Sequence, residues 1–214
     1  MYFVIPAWVG IQYCNLSHKS AKVLAMISKI LIKKLKDDLE QTGKARSRII
    51  SRTHGLGREA KHVGFKLQRG EMKEAAESLK MIEKELTELV KQAVKTNLRN
   101  EGSLKAVIEE YLESLYLYYI LQNKALPIKL PFAVGADEQL GALADLTGEL
   151  VRAAVLEATN GNFKRIKDYR DTTEELFGVL LQMDLHGVLR QKRDDARRNL
   201  KRLEEIIYDL SLKK

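Results

Sequence analysis

The sequence predicts an all-α protein built as an antiparallel helical bundle, and three observations carry that prediction. Only three prolines, Pro6, Pro127 and Pro131, punctuate 214 residues. No segment sustains the period-two apolar alternation of a half-buried strand between turn signals. A chain of this length can also bury most of its unfolded surface in one core, so it needs neither disulfides nor a structural zinc.

Taken in order, residues 1–19 (MYFVIPAWVGIQYCNLSHK) differ in composition from the rest of the chain. Their apolar run is too short to span a bilayer and lacks a basic leader or small-residue cleavage site, so it is read as an extension, poorly ordered or not native. Residues 20–214 are read as one domain. Seven helices are expected, at about 20–42, 44–69, 71–98, 102–125, 136–159, 161–183 and 187–211, with the first two able to run on as one. Pro127, Pro131 and Gly135 mark the main interruption, a loop that lets its flanking helices fold back antiparallel. Asn160-Gly161-Asn162 marks another turn. In the last helix Val188, Ala196, Leu200, Leu203, Ile207 and Leu210 are available for packing, and a solvated face explains most of its charges.

Composition excludes several functions. Cys14 is the only cysteine, which rules out a disulfide framework and suits a reducing cytoplasm. His18, His54, His62 and His186 are scattered without metal-ligand spacing, so zinc hydrolase chemistry is disfavoured. The glycines of GLGREAKHVG follow no strand and are discarded as a phosphate loop.

The net charge of +8 is unevenly placed. From Lys44 to Arg69 there are eight basic residues (Lys44, Arg46, Arg48, Arg52, Arg58, Lys61, Lys66, Arg69) against one acidic residue, Glu59. Ile49, Thr53, Leu56, Ala60, Val63 and Leu67 form the seam of an amphipathic helix, and the basic residues lie off it. Such a helix offers a track for a phosphate backbone, with Arg46, Arg48, Arg52, Lys61 and Lys66 as the candidate contacts. A solvated basic surface, or one facing an acidic subunit, is the alternative. A membrane surface is disfavoured because a helical partner explains the seam.

Four carboxylates fall where helices are apolar: Glu110 and Glu113 in VIEEYLESLYLYYIL, Asp145 and Glu149 in LGALADLTGELVRAAVL. Spacings of three and four place each pair on one helix face. Between Tyr111 and Leu121 only Glu113 and Ser114 are frankly polar, so this helix reads as buried nearly all round. Buried carboxylates must be paired, protonated or bound to a cation, which leaves a divalent metal site and structural ion pairs as the two readings. Glu109 is assigned to a solvated face. Arg152, three residues beyond Glu149, can pair with it.

Four stretches together resemble the translin and translin-associated factor X family: SRTHGLGREAKHVGFKLQRGE, EYLES (Glu110 to Ser114), LGALADLTGELVRAAVLEATNGNF and the ending LKRLEEIIYDLSLKK. The resemblance runs from about residue 30 to the C-terminus. ADLTGEL (Ala144 to Leu150) and LEEIIYDLS (Leu203 to Ser211) are its most specific parts. It implies a seven-helix subunit assembling into a hollow, roughly octameric shell that encloses nucleic acid, RNA or single-stranded DNA.

The same resemblance implies a catalytic subunit type. Glu110-Tyr111-Leu112-Glu113 followed by Asp145 looks like the Glu-aromatic-x-Glu and Asp pattern of a Mg²⁺-dependent ribonuclease site, and Glu149 matches the last Glu of that motif. Oxygen-only ligands suit Mg²⁺ or Mn²⁺, and hydrolysis would leave a 5′-phosphate and a 3′-hydroxyl. The chain departs from the family at Leu67-Gln68-Arg69-Gly70, where relatives tend to carry a histidine, and in having Gly55, Gly57 and Gly64 inside a helix. A non-catalytic nucleic-acid-binding shell is the alternative function. A di-iron bundle is disfavoured by the absence of Glu-x-x-His motifs.

Overall fold

The structure, a computed structural model, describes residues 29–212, which form six α-helices and, among the described residues, no strand. They are α1 (Lys29–Gln68), α2 (Met72–Lys95), α3 (Gly102–Leu121), α4 (Ala136–Thr159), α5 (Phe163–Leu181) and α6 (Gly187–Ser211). The predicted extension 1–19 and the first nine residues of the predicted first helix, 20–28, lie outside the described residues.

The first two predicted helices are one. α1 passes through Gly43 without a break, and Lys44 reaches back one turn to Glu40 at 2.5 Å. A single helical glycine costs about 1 kcal/mol, too little to end a helix of 40 residues. The chain divides into two units at Ala45 and Arg46, inside this helix. Described residues of the first unit, 29–45, expose Leu31, Leu35 and Leu39. All packing discussed below lies within the second, residues 46–214.

Within that unit the buried positions of α1 are Ile49, Thr53, Leu56, Ala60, Val63 and Leu67, the seam predicted from spacing. α2 contributes Leu79, Ile82, Leu86 and Leu89 to the same core, and α3 contributes Leu104, Ile108, Tyr111, Leu112 and Leu117. No residue from Tyr111 to Leu121 is exposed, so α3 is surrounded as its composition required. Contact between α1 and α3 is close, because the Ser114 hydroxyl donates to the Ala60 carbonyl at 2.9 Å.

α3 packs on α2 and on α4, and α4, α5 and α6 pack on one another. The turn before α3 is pinned to the start of α4 by a buried ion pair. Arg99 donates to both oxygens of Glu138 at 2.7 and 2.6 Å and to the Ala133 carbonyl at 2.9 Å, while Glu138 also accepts from the Gly135 amide at 2.7 Å. Glu138 is fully buried, and this pairing is what makes its charge tolerable. Asn160-Gly161-Asn162 does turn the chain, with Gly161 at φ +74, a conformation open to glycine. In α6 the buried residues are Ala196, Leu203 and Ile206, whereas Val188 is exposed, contrary to its predicted packing role. The adjoining Leu189 takes the packing position in this first turn, against Ala144, Leu180, Leu185 and Ala196.

Candidate metal and nucleic-acid site

A cavity of about 440 Å³ opens between α1, α3 and α4. Its walls include Glu110 and Glu113 from α3, Glu149 and Arg152 from α4, and Lys61, Phe65 and Gln68 from α1. Three of the four carboxylates singled out from sequence therefore line one cavity. Each arrives because its neighbours along the helix, such as Leu112 and Leu150, are buried in the core and fix which face looks inward.

Glu113 is the least compensated charge. It is mostly buried and, among the described residues, makes no hydrogen bond or ion pair. Burial first, and then the charges of Glu149, Glu110 and Asp145, push its carboxyl up to about 8. Glu110 is raised by the same burial and by Asp145 and Glu149, with Lys61, 4.0 Å away, opposing the rise. The four side chains thus sense one another electrostatically.

Glu149 and Asp145 have partners. Glu149 accepts from Gln68 at 2.8 Å and from Arg152 at 2.7 Å, the pairing its spacing suggested. Gln68 orients Glu149 through that bond. Asp145 is not among the residues that line the cavity; Lys192 of α6 donates to its Oδ2 at 2.6 Å and to Glu109 Oε2 at 2.5 Å. Glu109 is therefore not on a solvated face. Its partner comes from 83 residues further along the chain, which helical spacing could not anticipate. Burial lowers the proton affinity of Lys192, but the hydrogen bonds to Asp145 and Glu109 outweigh it and leave the ammonium firmly protonated.

The five basic candidates divide by partner. Lys61 is mostly exposed at the cavity wall, and Arg48 is exposed. Arg46 pairs with Glu101 at 2.7 Å, Arg52 with Glu85 at 3.3 Å, and Lys66 donates to the buried hydroxyl of Ser78 at 2.8 Å. Only Lys61 of the five touches the acidic site. Arg152 joins it at the wall, where sequence spacing marked it only as a partner of Glu149.

The donor set fits a hard divalent cation: oxygen ligands only, buried, with excess negative charge. The side chains do not form a closed shell, since among the described residues no three carboxylates, histidines or cysteines converge to hold an ion.

Among the described residues a six-helix fold presents paired carboxylates beside a basic helix, and comparison with known proteins identifies the family. The Translin family model matches residues 29–214, and the chain belongs to that family. Its fold is similar to the crystal structure of apo-NeC3PO (TM-score 0.76, 22% identity, covering 86% of this chain and 97% of that one). It is similar to AfC3PO (TM-score 0.76, 21% identity, 86% and 98%) and to AfC3PO in complex with duplex RNA (TM-score 0.73, 19% identity, 86% and 97%). An uncharacterized protein of Methanocaldococcus jannaschii is 33% identical over 101 residues, 45% of each chain, so the match spans about half of that curated relative. Among the described residues no helix is long and apolar enough to cross a membrane.

Proposed function

We propose that this chain is a metal-dependent endoribonuclease subunit of the translin-associated factor X type, working in the cytoplasm within a homo-oligomeric, octamer-like shell. The observation that carries the reading is the cavity lined by Glu110, Glu113 and Glu149, whose negative charge is only partly compensated. The similarity to AfC3PO, a structure of which contains duplex RNA, supports RNA as the ligand class. The exposed Leu31, Leu35 and Leu39 support burial against other copies.

Glu110, Glu113 and Asp145 would hold Mg²⁺, with Mn²⁺ as a substitute, and Glu149, steered by Gln68, would orient the shell. A bound divalent cation supplies Lewis-acid activation of the scissile phosphate and of water. Lys61 and Arg152 would meet phosphate at the cavity wall, and Arg48 would extend the contact along α1. Such contacts position a strand without reading its bases, so low sequence specificity is expected. Glu113, whose carboxyl is pushed up to about 8, would have to give up its proton to serve as a ligand, which would couple loading to proton release.

The test is cleavage of labelled single-stranded RNA by the wild type and Asp145→Asn, each with Mg²⁺ and with EDTA. Cutting only by the wild type with Mg²⁺ is expected. Intact RNA in all four reactions, with binding retained, would instead establish a non-catalytic shell for RNA or single-stranded DNA. That second reading draws on one observation, the engagement of Asp145 by Lys192 and of Glu149 by Gln68 and Arg152.

A further inference from the structure

Lys192 is placed as no surface lysine is. Its side chain is only 18% exposed, and its ammonium sits 2.5 Å from Glu109 Oε2 and 2.6 Å from Asp145 Oδ2. Burying an ammonium is unfavourable unless carboxylates surround it, so this position is specified by the acidic cluster. One of its two partners, Asp145, is also the one carboxylate of the four that does not line the cavity.

We propose that Lys192 is a resident cation of the acidic site, which holds Asp145 aside and competes with a divalent ion for it. The proposal rests on the metal-dependent reading above and adds its regulation. Two observations converge on it. Lys192 holds a carboxylate assigned to the ion. Releasing Asp145 does not strand the ammonium, because Glu109 remains its partner, and the seat for Glu109 is built into α4. A Cβ at Gly141 would lie 2.8 Å from Glu109 Oε2, so only glycine leaves that carboxylate its present place.

The sign of the effect follows from charge. A fixed positive charge beside a cation site weakens binding of a second cation, and a unit charge this close affects the constant by about tenfold or more. Without metal the same charge stabilises the fold by neutralising the cluster. Lys192 therefore sets a threshold of divalent-ion concentration below which the site stays closed.

The experiment measures Mn²⁺ binding to the full chain by calorimetry and by paramagnetic resonance, for wild type, Lys192→Met, Lys192→Arg and Glu113→Gln. Lys192→Met should bind Mn²⁺ about tenfold or more tightly, melt at a lower temperature in EDTA, and recover with Mn²⁺. Lys192→Arg should keep the wild-type affinity. Equal or weaker binding by a folded Lys192→Met overturns the role of the lysine and leaves the metal reading standing. No binding by wild type or by Lys192→Met, with Glu113→Gln indistinguishable from them, overturns both. Amine acetylation of the wild type, read by mass spectrometry, covers failure of the variant to fold: Lys192 should react faster with Mn²⁺ than with EDTA, and an unchanged rate refutes competition.

Discussion

Replacing Glu113 with Gln isolates the charge that the fold tolerates least. The folded carboxyl is pushed up to about 8 from an ordinary 4.5. Between those values the native chain holds a proton that the unfolded chain has released. Native protein then binds more protons, so stability is highest at the acid end of the window and falls as pH rises through it. At about 1.36 kcal/mol per pH unit, the whole window represents about 5 kcal/mol as a ceiling. Water admitted by the open cavity screens part of this, and about 2–3 kcal/mol is the expected loss. The amide introduced by Glu113→Gln has no such proton to lose. Urea denaturation in EDTA, at about pH 5 and about pH 8, should show wild type losing that amount while Glu113→Gln stays nearly level, the two agreeing within about 1 kcal/mol at the acid end. Excess Mg²⁺ should restore the wild type at the alkaline end, because the ionised cluster then binds it. Parallel curves for the two proteins would refute the assignment of Glu113 as a buried, uncompensated acid.

Two further outcomes are expected from the same geometry. Arg99→Ala strands the fully buried Glu138 with only the Gly135 amide, and should lower stability by about 3–5 kcal/mol in the same denaturation assay; a loss under about 1 kcal/mol would mean that the pair is not the clamp on α4. Lys61→Ala should weaken RNA binding and reduce the salt slope by about one, read from titrations across ionic strength, whereas an unchanged slope would move the phosphate track away from this cavity wall.

What was legible in the sequence is what local period encodes. The six seam positions of α1 and the bounds of α4 follow from apolar spacing and from the Pro127 to Gly135 interruption, since burial in a helix repeats every three to four residues. Four carboxylates stood out because charge was misplaced within an apolar run, and three of them line one cavity. Lys192 and Glu109 were missed for a different reason. Each looks ordinary on its own helix, and the pairing exists only after α6 packs beside α4. The basic track was overdrawn similarly. Arg46, Arg52 and Lys66 all lie off the seam of α1, yet Glu101, Glu85 and Ser78, supplied from other parts of the chain, engage them. Period tells which residues face away from the core. It is silent about which partners meet them there.

The charge pattern also constrains how binding and cleavage relate. RNA phosphates and a carboxylate cluster repel each other, so a strand drawn to the basic helix approaches the acidic cavity only if something offsets that repulsion. In the metal-free protein Lys61 and Arg152 at the wall, Lys192 beside Asp145 and the retained proton of Glu113 do so in part. On the proposed reading, therefore, binding does not require the divalent ion, whereas cleavage does. Glu113→Gln makes the neutral state of that residue permanent, so it should bind single-stranded RNA as tightly as wild type or more tightly, with the gain growing above about pH 8 where the native acid ionises. Weaker binding by the folded variant in EDTA would show that the ionised carboxylate helps hold the strand, and the separation of the basic track from the acidic site would fail with it.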